Sequence, residues 1–249
     1  MSRIHSIVVT NTEDTRIGGA PNRQLVLDKV NQIAKLTDTE LNLFDFHGED
    51  WARETIMETV KNLKIGAKDS IIFYYFGHGT RIPSMKSRYP AMVLKSHEGL
   101  GLAWVHKFLA AKNPRFLLTV SDSCNNEIPE GAISIVKSKW SDKDLAVGYK
   151  KLFLDFKGRI AASGCIPGQY SYAYTSSGGM FSNRFMPLIE KYAAMEHMKY
   201  LSKKTCWKDL MDEAIKPLNN GVQQPQYEIN PEIPEEEAMK SLAPGFFGV

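Results

Sequence analysis

The sequence predicts an α/β protein built around a mostly parallel central sheet. Two apolar runs, residues 71–77 and 116–120, are continuous and of strand length. Parallel strands that are buried on both faces have this pattern, whereas half-exposed strands alternate. Segments with helical periodicity separate the predicted strands, and such an order requires crossover connections with helices on both faces of the sheet.

The amino-terminal half alternates between the two periodicities. Leu27, Val30 and Ile33 share one face of a predicted helix. Asp50 is a suitable N-cap for the next helix, and Gly66 interrupts the chain before the strand that ends at Gly77. We therefore predict strand 4–10, loop 11–22, helix 24–36, strand 41–46, helix 50–63, the strand ending at Gly77, helix 100–111 and strand 115–120.

The carboxyl-terminal half contains one long segment without clear periodicity. Residues 125–149 have few periodic apolar residues, so we predict a functional or disordered loop there. Residues 1–230 form one domain in this interpretation. Residues 231–249 form an acidic, Pro-containing tail that we expect to be solvated. After the loop we predict amphipathic turns at 149–156, strand 159–164, helices 181–200 and 205–218 (the latter capped by Thr205), and a short strand 227–229.

Composition is that of an ordinary globular protein. The 249 residues are 43% hydrophobic and 24% charged, and the formal net charge of +3 is too small to indicate nucleic-acid binding. Three cysteines do not suggest a disulfide framework and fit a reducing compartment. No signal-peptide stretch or run of ~18 apolar residues is present. We expect a cytoplasmic protein without membrane or nucleic-acid partners, unless it is exported by a route that leaves no such signal.

A reactive side chain follows each of the two apolar runs. His78 comes just after the first, and Cys124 comes shortly after the second. The carboxyl ends of parallel strands meet at one edge of a sheet, where ligands bind. An imidazole beside a thiol can serve as proton acceptor for a nucleophile. Each residue alone is more often structural, a hydrogen-bonded His or a buried Cys, but their joint placement favours a catalytic pair.

The two motifs resemble those of the caspase-like cysteine peptidases, and most closely the metacaspases. The segments concerned are Tyr75-Phe76-Gly77-His78-Gly79-Thr80 and Ser121-Asp122-Ser123-Cys124. Ala162-Ser163-Gly164-Cys165, followed by Gln169 and Ser171, and Gln224-Pro225-Gln226 extend the resemblance, which runs from about residue 4 to 229. It implies a caspase-like three-layer sandwich and a cysteine endopeptidase that acts on proteins or peptides through a His78–Cys124 dyad.

The resemblance also implies roles for neighbouring residues. The backbone N–H groups of Gly79 and Cys124 would form the oxyanion hole. Asp122 would pair with Arg or Lys of the substrate; strand alternation places it on the same face as Cys124. An Asp122 carboxylate bonded only to loop amides is the alternative. Phe76, Ser163 and Ser171 are assigned to the same pocket, Phe76 standing where metacaspases carry Ser.

Two arginines leave the substrate preference open. Arg16 and Arg23 lie in the loop after the first strand, where true caspases use an Arg to bind a substrate Asp, and Pro21-Asn22-Arg23 replaces the acidic residue of metacaspases. Cleavage after Asp is therefore the alternative to cleavage after Arg or Lys. No third member of a triad is visible in the sequence.

We expect no cofactor and no metal. The region of the third predicted helix, Gly99-Leu100-Gly101-Leu102-Ala103-Trp104, lacks the acidic residues that a calcium site needs, and Asn125, Asn126 and Glu127 after the nucleophile do not supply them. The oligomeric state, monomer or dimer, stays open.

Two other functions and one processing step complete the expectations. One is a caspase-like scaffold that recruits partners, which would have no chemical need for both His78 and Cys124. The other is a redox or acyl-transfer Cys-His enzyme, and its redox version would be expected to carry C-x-x-C. An enzyme that cuts after basic residues could nick its own long loop because the tethered loop has a high effective concentration at the site. The candidate positions are Lys137, Lys139, Lys143, Lys150 and Lys151.

Overall fold

The computed structural model describes residues 2–81, 85–123, 125–127, 140–197, 206–218 and 221–233, with only the backbone described at 125–127, 196–197 and 206. The strands are β1 (Arg3–Thr10), β2 (Glu40–Phe46), β3 (Ser70–Gly77), β4 (Gly79–Thr80), β5 (Ala91–Val93), β6 (Gly99–Gly101), β7 (Phe116–Ser123), β8 (Asn125–Glu127), β9 (Gly158–Ser163), β10 (Ser171–Tyr174), β11 (Gly178–Gly179) and β12 (Gln226–Ile229). The helices are α1 (Gly19–Leu36), α2 (Arg53–Asn62), α3 (Leu102–Ala111), α4 (Asp142–Tyr149), α5 (Met180–His197) and α6 (Cys206–Ala214).

Six strands form the central sheet in the order β12-β9-β7-β3-β1-β2. All pairs are parallel except β12 with β9. The predicted α/β sheet and its strands are therefore confirmed. From β1 the chain adds β2 on one side and then β3 on the other, so the strand order reverses between β1 and β3. In an open α/β sheet, such a switch point opens a crevice at the carboxyl ends of the strands.

Helices cover both faces of this sheet. Alternate residues of β3 enter two separate cores: Ile72 and Tyr74 pack under α1, α4, α5 and α6, whereas Ile71 and Phe73 pack under α2 and α3. All eight residues of β3 are buried. This two-sided burial explains why the strand reads as an unbroken apolar run, and it confirms the predicted three-layer arrangement.

The starts of α1 and α2 differ most from the prediction, and the predicted helix 100–111 starts at Leu102 because residues 100 and 101 belong to β6. Helix α1 begins at Gly19, five residues early, because Gly18 adopts a left-handed backbone (φ 69°) and Gly19 packs on Asn11, the residue after β1. A Cβ on Gly19 would come within 1.9 Å of the Asn11 carbonyl oxygen. Helix α2 begins at Arg53 after Ala52 in the cap position, without a side-chain cap, so Asp50 is not its N-cap.

The predicted loop 125–149 contains a helix, which corrects the sequence interpretation. Ser141 caps α4 by accepting a hydrogen bond from the Asp144 N–H, and the helix continues as a π-helical segment, Lys150–Asp155. Leu145, Tyr149 and Phe153 bury against the core. These anchors were missed because single apolar residues four apart give little signal in a polar, Lys-rich segment. Residues 128–139, Thr205 and 234–249 lie outside the described residues, so the predictions made for them are unchanged.

Two small sheets extend beyond the carboxyl ends of β3 and β7. Strands β4, β5 and β6 form one, and β11, β10 and β8 form the other. Neither was predicted, since the strands have two to four residues and no periodicity to read. They frame the edge at which the sequence places its reactive side chains. Across the described ranges, no helix combines the length and apolarity needed to cross a bilayer.

Candidate active site

The two strands that carry the motifs are direct neighbours. In the β3–β7 ladder, Gly77 lies opposite Ser123. His78 is the residue after Gly77, and Cys124 is the residue after Ser123. Cys124 itself lies outside the described residues. The structure therefore brings together the strand ends that precede the proposed dyad, at the edge where the sequence predicted them.

The backbone of His78 is held by polar contacts from its own sheet and the small sheet beside it. The Tyr75 hydroxyl lies 2.7 Å from both the His78 and the Val93 carbonyl oxygens, and the Val93 N–H donates to the His78 carbonyl at 2.9 Å. A Cβ at Gly77 would come 2.6 Å from the Tyr75 hydroxyl oxygen. Glycine at 77 thus permits the contact that fixes the turn leading into His78.

The imidazole of His78 has a carboxylate partner that sequence reasoning missed. Its Nε2 lies 2.9 Å from Oδ2 of Asp14, in the loop after β1. Arg16 donates from Nε to Oδ1 and from a terminal nitrogen to Oδ2, each at 2.9 Å. Hydrogen bonds from Arg16 first, and then from His78, hold the pKa of Asp14 well below its usual range, although partial burial opposes this. Asp14 is therefore ionised at neutral pH.

The loop that carries Asp14 is tied to the end of β3. The Asn11 N–H donates to the Phe76 carbonyl at 2.9 Å, and Asn11 Oδ1 accepts from the N–H groups of Glu13 and Asp14 at 3.1 Å each. An Asn side chain that bonds to amides two and three residues on makes a tight turn. The turn places Asp14 over the strand end beside His78. An Asn-x-x-Asp sequence just after a predicted strand is the signal that could have found it.

Asp122 is fully buried next to the same strand end. Its Oδ1 accepts from the Ser171 hydroxyl at 2.7 Å, and its Oδ2 accepts from the N–H and the hydroxyl of Ser182 at 2.8 and 2.6 Å. Burial raises the pKa of Asp122 despite these hydrogen bonds. Within the described ranges, no Lys or Arg forms an ion pair with it. Ser182 was not singled out by sequence reasoning.

Glycines allow the surrounding chain to pack directly on this carboxylate. A Cβ on Gly179 would come 2.0 Å from Asp122 Oδ2, and one on Gly164 would come 2.6 Å from Oδ1. The Phe76 ring also lies against Gly179, 2.9 Å from the same Cβ position. Phe76 and Ser171, both assigned to the pocket from the sequence, are therefore close to Asp122.

Ser163 and Gln223 complete the surroundings. Ser163 is buried; its hydroxyl donates to the Cys165 carbonyl at 2.9 Å and accepts from Gln226 at 2.9 Å. Gln223, another residue not predicted, donates to the Gly164 carbonyl at 2.7 Å and to the Ser171 hydroxyl at 3.0 Å. Ser163 does not hydrogen-bond to Asp122, whereas Gln223 donates to the Ser171 hydroxyl that does.

The two arginines have carboxylate partners. Arg23 pairs with Asp45 of β2, three strands from β7. Arg16 is 67% exposed but is bonded to Asp14. Neither guanidinium contacts Asp122, so the carboxylate and the arginines do not form one pocket in this structure.

A groove of ≈ 530 Å³ opens beside His78 at the switch point of the sheet. Its lining includes Asp14, Trp51 and Lys95. Trp51 belongs to the core under α2 and α3, whereas the neighbours of Asp122 lie on the other face. His78 thus stands between an open groove and a buried carboxylate, an arrangement that suits a chain-like substrate crossing the sheet edge.

The remaining candidate residues are helical, are buried or lie outside the described residues. Lys143 lies in α4, and Lys150 and Lys151 lie in the π-helical segment, while Lys137 and Lys139 are outside the described residues. Cys165 is buried with its Sγ 3.6 Å from the Ser123 carbonyl. No group of three or more His, Cys, Asp or Glu side chains that could hold a metal occurs in the described part of the chain.

The comparisons with known proteins agree with this fold. The profile of the caspase domain matches residues 30–232, a range that includes both motifs but not Asp14. The search of curated proteins found no match. A crystal structure of a structural-genomics target from Geobacter sulfurreducens has a TM-score of 0.53 at 12% identity and covers 95% of this chain and 96% of its own, which shows a similar fold. The closer likeness to metacaspases stays a prediction. Because the caspase-domain match spans most of a chain with this sheet and this strand-end site, the chain belongs to the caspase family of cysteine peptidases.

Proposed function

We propose that this protein is a cysteine endopeptidase that uses His78 and Cys124 and cleaves after Arg or Lys. The observation that supports this most is the β3–β7 pairing, which sets Gly77 against Ser123. The residues that follow both strand ends then start from adjacent backbone positions, about 5 Å apart in a parallel ladder. At that separation an imidazole and a thiol can reach each other.

The reaction is acyl transfer in two steps. The Cys124 thiol gives its proton to His78, and the thiolate sulfur bonds to the scissile carbonyl carbon. His78 then returns the proton to the leaving amine as the C–N bond breaks. Water hydrolyses the thioester and frees the thiol. The N–H groups of Gly79 and Cys124 are proposed to bind the developing oxyanion, and one such donor lowers the barrier by about 3 kcal/mol.

The preference for a basic residue is proposed from Asp122. Buried carboxylates normally have a cationic or metal partner, yet within the described residues Asp122 has only hydroxyl and N–H donors. A substrate Arg or Lys would supply the missing charge. Because Asp122 has no exposed surface, its cover of Phe76 and Gly179 would have to shift when the substrate enters. Phe76 and Ser171 would line this pocket, and Ser163 would stabilise the chain next to it.

Cleavage after Asp is the second candidate, and the exposure of Arg16 is the observation in its favour. The Arg16 side chain is 67% exposed, and it is linked to His78 because both bind the carboxylate of Asp14. An acidic substrate would have to compete with Asp14 for its guanidinium. Arg23 is less suited because its charge is already matched by Asp45.

Fluorogenic peptides that end in Arg, Lys or Asp, assayed in parallel, test the proposal. We expect kcat/KM to be highest for Arg and Lys, and Cys124→Ala to abolish turnover while the fold is unchanged. A preference for Asp would reject the role of Asp122. No turnover of any peptide would favour a scaffold that recruits partners.

Thiol labelling gives an independent measurement. We expect iodoacetamide to modify Cys124 faster than Cys165, which is 1% exposed, because a thiolate beside an imidazole is more reactive than a buried thiol. Peptide mass mapping at several times measures the two rates. Equal rates in the folded protein would count against a nucleophile at 124. Cytoplasmic location and the absence of membrane and nucleic-acid partners remain predictions from the sequence.

A further inference from the structure

We infer that Asp14 is a positioning residue that completes the catalytic pair as its third member. This inference rests on the proposed peptidase function. Asp14 Oδ2 and His78 Nε2 are 2.9 Å apart, and the Asp14 side chain is only 14% exposed. The two residues are 64 positions apart in sequence and meet because β1 and β3 are adjacent.

The contact fixes which nitrogen of His78 carries the proton. Hydrogen bonds from Arg16 and His78 keep the pKa of Asp14 low, and an ionised carboxylate can only accept hydrogen bonds. His78 Nε2 must therefore donate. In the neutral imidazole the other nitrogen, Nδ1, is then free to accept the thiol proton of the nucleophile.

Arg16 holds Asp14 in this orientation. Its guanidinium donates to both carboxylate oxygens. Two parallel hydrogen bonds of this kind fix the orientation of the carboxylate and also strengthen the interaction. The turn at Asn11 fixes the backbone of the same loop. Arg16 thus has a partner other than an acidic substrate, which argues against the second candidate function.

Asp14 changes the energetics of the step without itself gaining a proton. The thiol proton moves to Nδ1 of His78 and leaves an imidazolium beside an ionised carboxylate. Their attraction stabilises the imidazolium until it gives the proton to the leaving amine. A carboxylate beside a catalytic His acts in this way in the Ser-His-Asp triad.

Asp14→Asn is the central test. An Asn amide would donate to Nε2 and place the His78 proton on Nδ1, where it blocks transfer from the thiol. In a serine peptidase this exchange lowers kcat by about 10⁴-fold. We expect kcat of this protein to fall by at least about 10²-fold, a smaller loss because a Cys–His pair depends less on the base. KM should change by less than about threefold.

Nitrogen NMR of His78 supplies a readout that a merely structural role would not change. The measurement uses the full chain with ¹⁵N-labelled His. The Cys124→Ala substitution prevents autolysis, so that the neutral ring can be observed. We expect the proton on Nε2 when Asp14 is present and on Nδ1 in Asp14→Asn. Asp14→Glu should restore the Nε2 proton and part of kcat.

Glu190→Gln is the matched control. Glu190 is 15% exposed and pairs with Lys29 at 2.8 Å, so the variant removes a carboxylate of similar burial that does not contact His78. It should retain wild-type kcat and the wild-type tautomer.

The two proposals fail in different ways. Full kcat in Asp14→Asn, or an unchanged His78 tautomer, would reject the role of Asp14 and leave the peptidase proposal standing. An inactive wild type would reject the peptidase proposal, whereas a tautomer change in Asp14→Asn would still support the Asp14–His78 coupling.

Discussion

At the scale of single residues, Asp122 shows the clearest conflict between stability and function. It is completely buried, and its hydrogen bonds from Ser171 and Ser182 only partly replace the water it has lost. An apolar or amide side chain would suit this place better if folding were the only requirement. A buried carboxylate without a cation in the described residues is therefore more simply understood as a binding group than as a structural one.

Asp122→Asn tests the binding role. The amide oxygen can accept from Ser182 while the amide nitrogen donates to the Ser171 hydroxyl, so the packing is kept and only the charge is lost. Removing one partner of a desolvated charge pair costs roughly 2–5 kcal/mol. We expect kcat/KM for Arg and Lys peptides, measured with fluorogenic substrates, to fall by the factor that corresponds to this free-energy cost. An equal fall for peptides ending in an uncharged residue would show that the variant damages the site generally.

The same variant should change stability in a pH-dependent way. The folded-state pKa of Asp122 is raised by burial, so the unfolded chain, with an Asp pKa of about 3.9, binds fewer protons than the folded chain above that pH. The wild type therefore loses stability as pH rises from about 4 through the folded pKa. We expect Asp122→Asn to avoid this loss, so that its Tm advantage grows as pH rises above about 4.

Asp212→Asn provides the control of opposite sign. Lys208, then Tyr227, lower the pKa of Asp212, so its ionised form stabilises the fold above the unfolded pKa and the variant should be slightly less stable at neutral pH. The Lys208–Asp212 pair is exposed to solvent, which screens it, so we expect the effect to be small. Thermal unfolding of both variants across the same pH range measures both signs. A Tm advantage of Asp122→Asn that does not depend on pH would contradict the prediction.

At the scale of secondary-structure elements, the packing of α4 on α5 depends on one glycine. A Cβ on Gly148 would come 1.9 Å from the Ala193 carbonyl oxygen, so the two helices approach backbone to backbone. Helix propensity alone favours Ala over Gly by about 1 kcal/mol. We expect Gly148→Ala to lower the free energy of unfolding nevertheless, by about 1–3 kcal/mol, because overpacking moves the helices apart.

Urea unfolding measures this effect, with Ala146→Gly as the matched control in the same helix. Ala146 is only partly buried, so its replacement should cost little more than the propensity of about 1 kcal/mol. A stabilised Gly148→Ala protein would show that α4 and α5 can separate freely.

The helical state of residues 142–155 also narrows the prediction of self-cleavage. Lys143, Lys150 and Lys151 lie in helical backbone, which must unfold locally before a peptidase can bind it in an extended form. We therefore expect any self-cleavage after a basic residue to occur at Lys137 or Lys139, and a Lys137→Gln/Lys139→Gln variant to remain intact. Intact-mass spectra of active enzyme beside Cys124→Ala test this. Fragments ending at Lys143, or equal nicking in the inactive variant, would contradict it.

At the scale of the whole molecule, the strand order determines where function can reside. The reversal between β1 and β3 opens the crevice that receives the loop of Asp14, the turn of His78 and the groove beside them. The neighbouring β7 adds Asp122 to the same edge. Three segments that are distant in sequence thus meet because parallel strands present all their carboxyl ends on one side.

The absence of an acidic cluster among the described residues leads to a prediction for the whole enzyme. A calcium site needs six to eight oxygen ligands, several of them charged. We expect kcat/KM in excess EGTA to equal that in millimolar calcium. Activation by calcium that EGTA reverses would contradict this prediction and would place ligands in segments such as residues 128–139 or 234–249.

The strands of the central sheet, their chemical motifs and the fold class could be predicted because they depend on local patterns. A buried parallel strand needs a run of apolar residues, and a motif such as Gly77-His78-Gly79 is contiguous. In contrast, the start of α1 and the existence of α4 could not be predicted from local patterns. From the sequence, Gly18 and Gly19 are predicted as part of a loop, because the chain that packs on them, Tyr174 to Gly178 on Gly18 and Asn11 on Gly19, is distant or has no local pattern. Helix α4 buries too few apolar residues to give a periodic signal.

The sequence by itself determined the order of the central strands and of the helices other than α4, the two strand-end motifs and the position of Asp122 two residues before Cys124. Only the tertiary structure decided that Asp14 is the partner of His78 and that Arg16 is the partner of Asp14. It alone surrounded Asp122 with Ser171, Ser182 and close-packed glycines. The physical reason is that these contacts join side chains as many as 64 positions apart, and only the arrangement of strands in the sheet sets which loops meet.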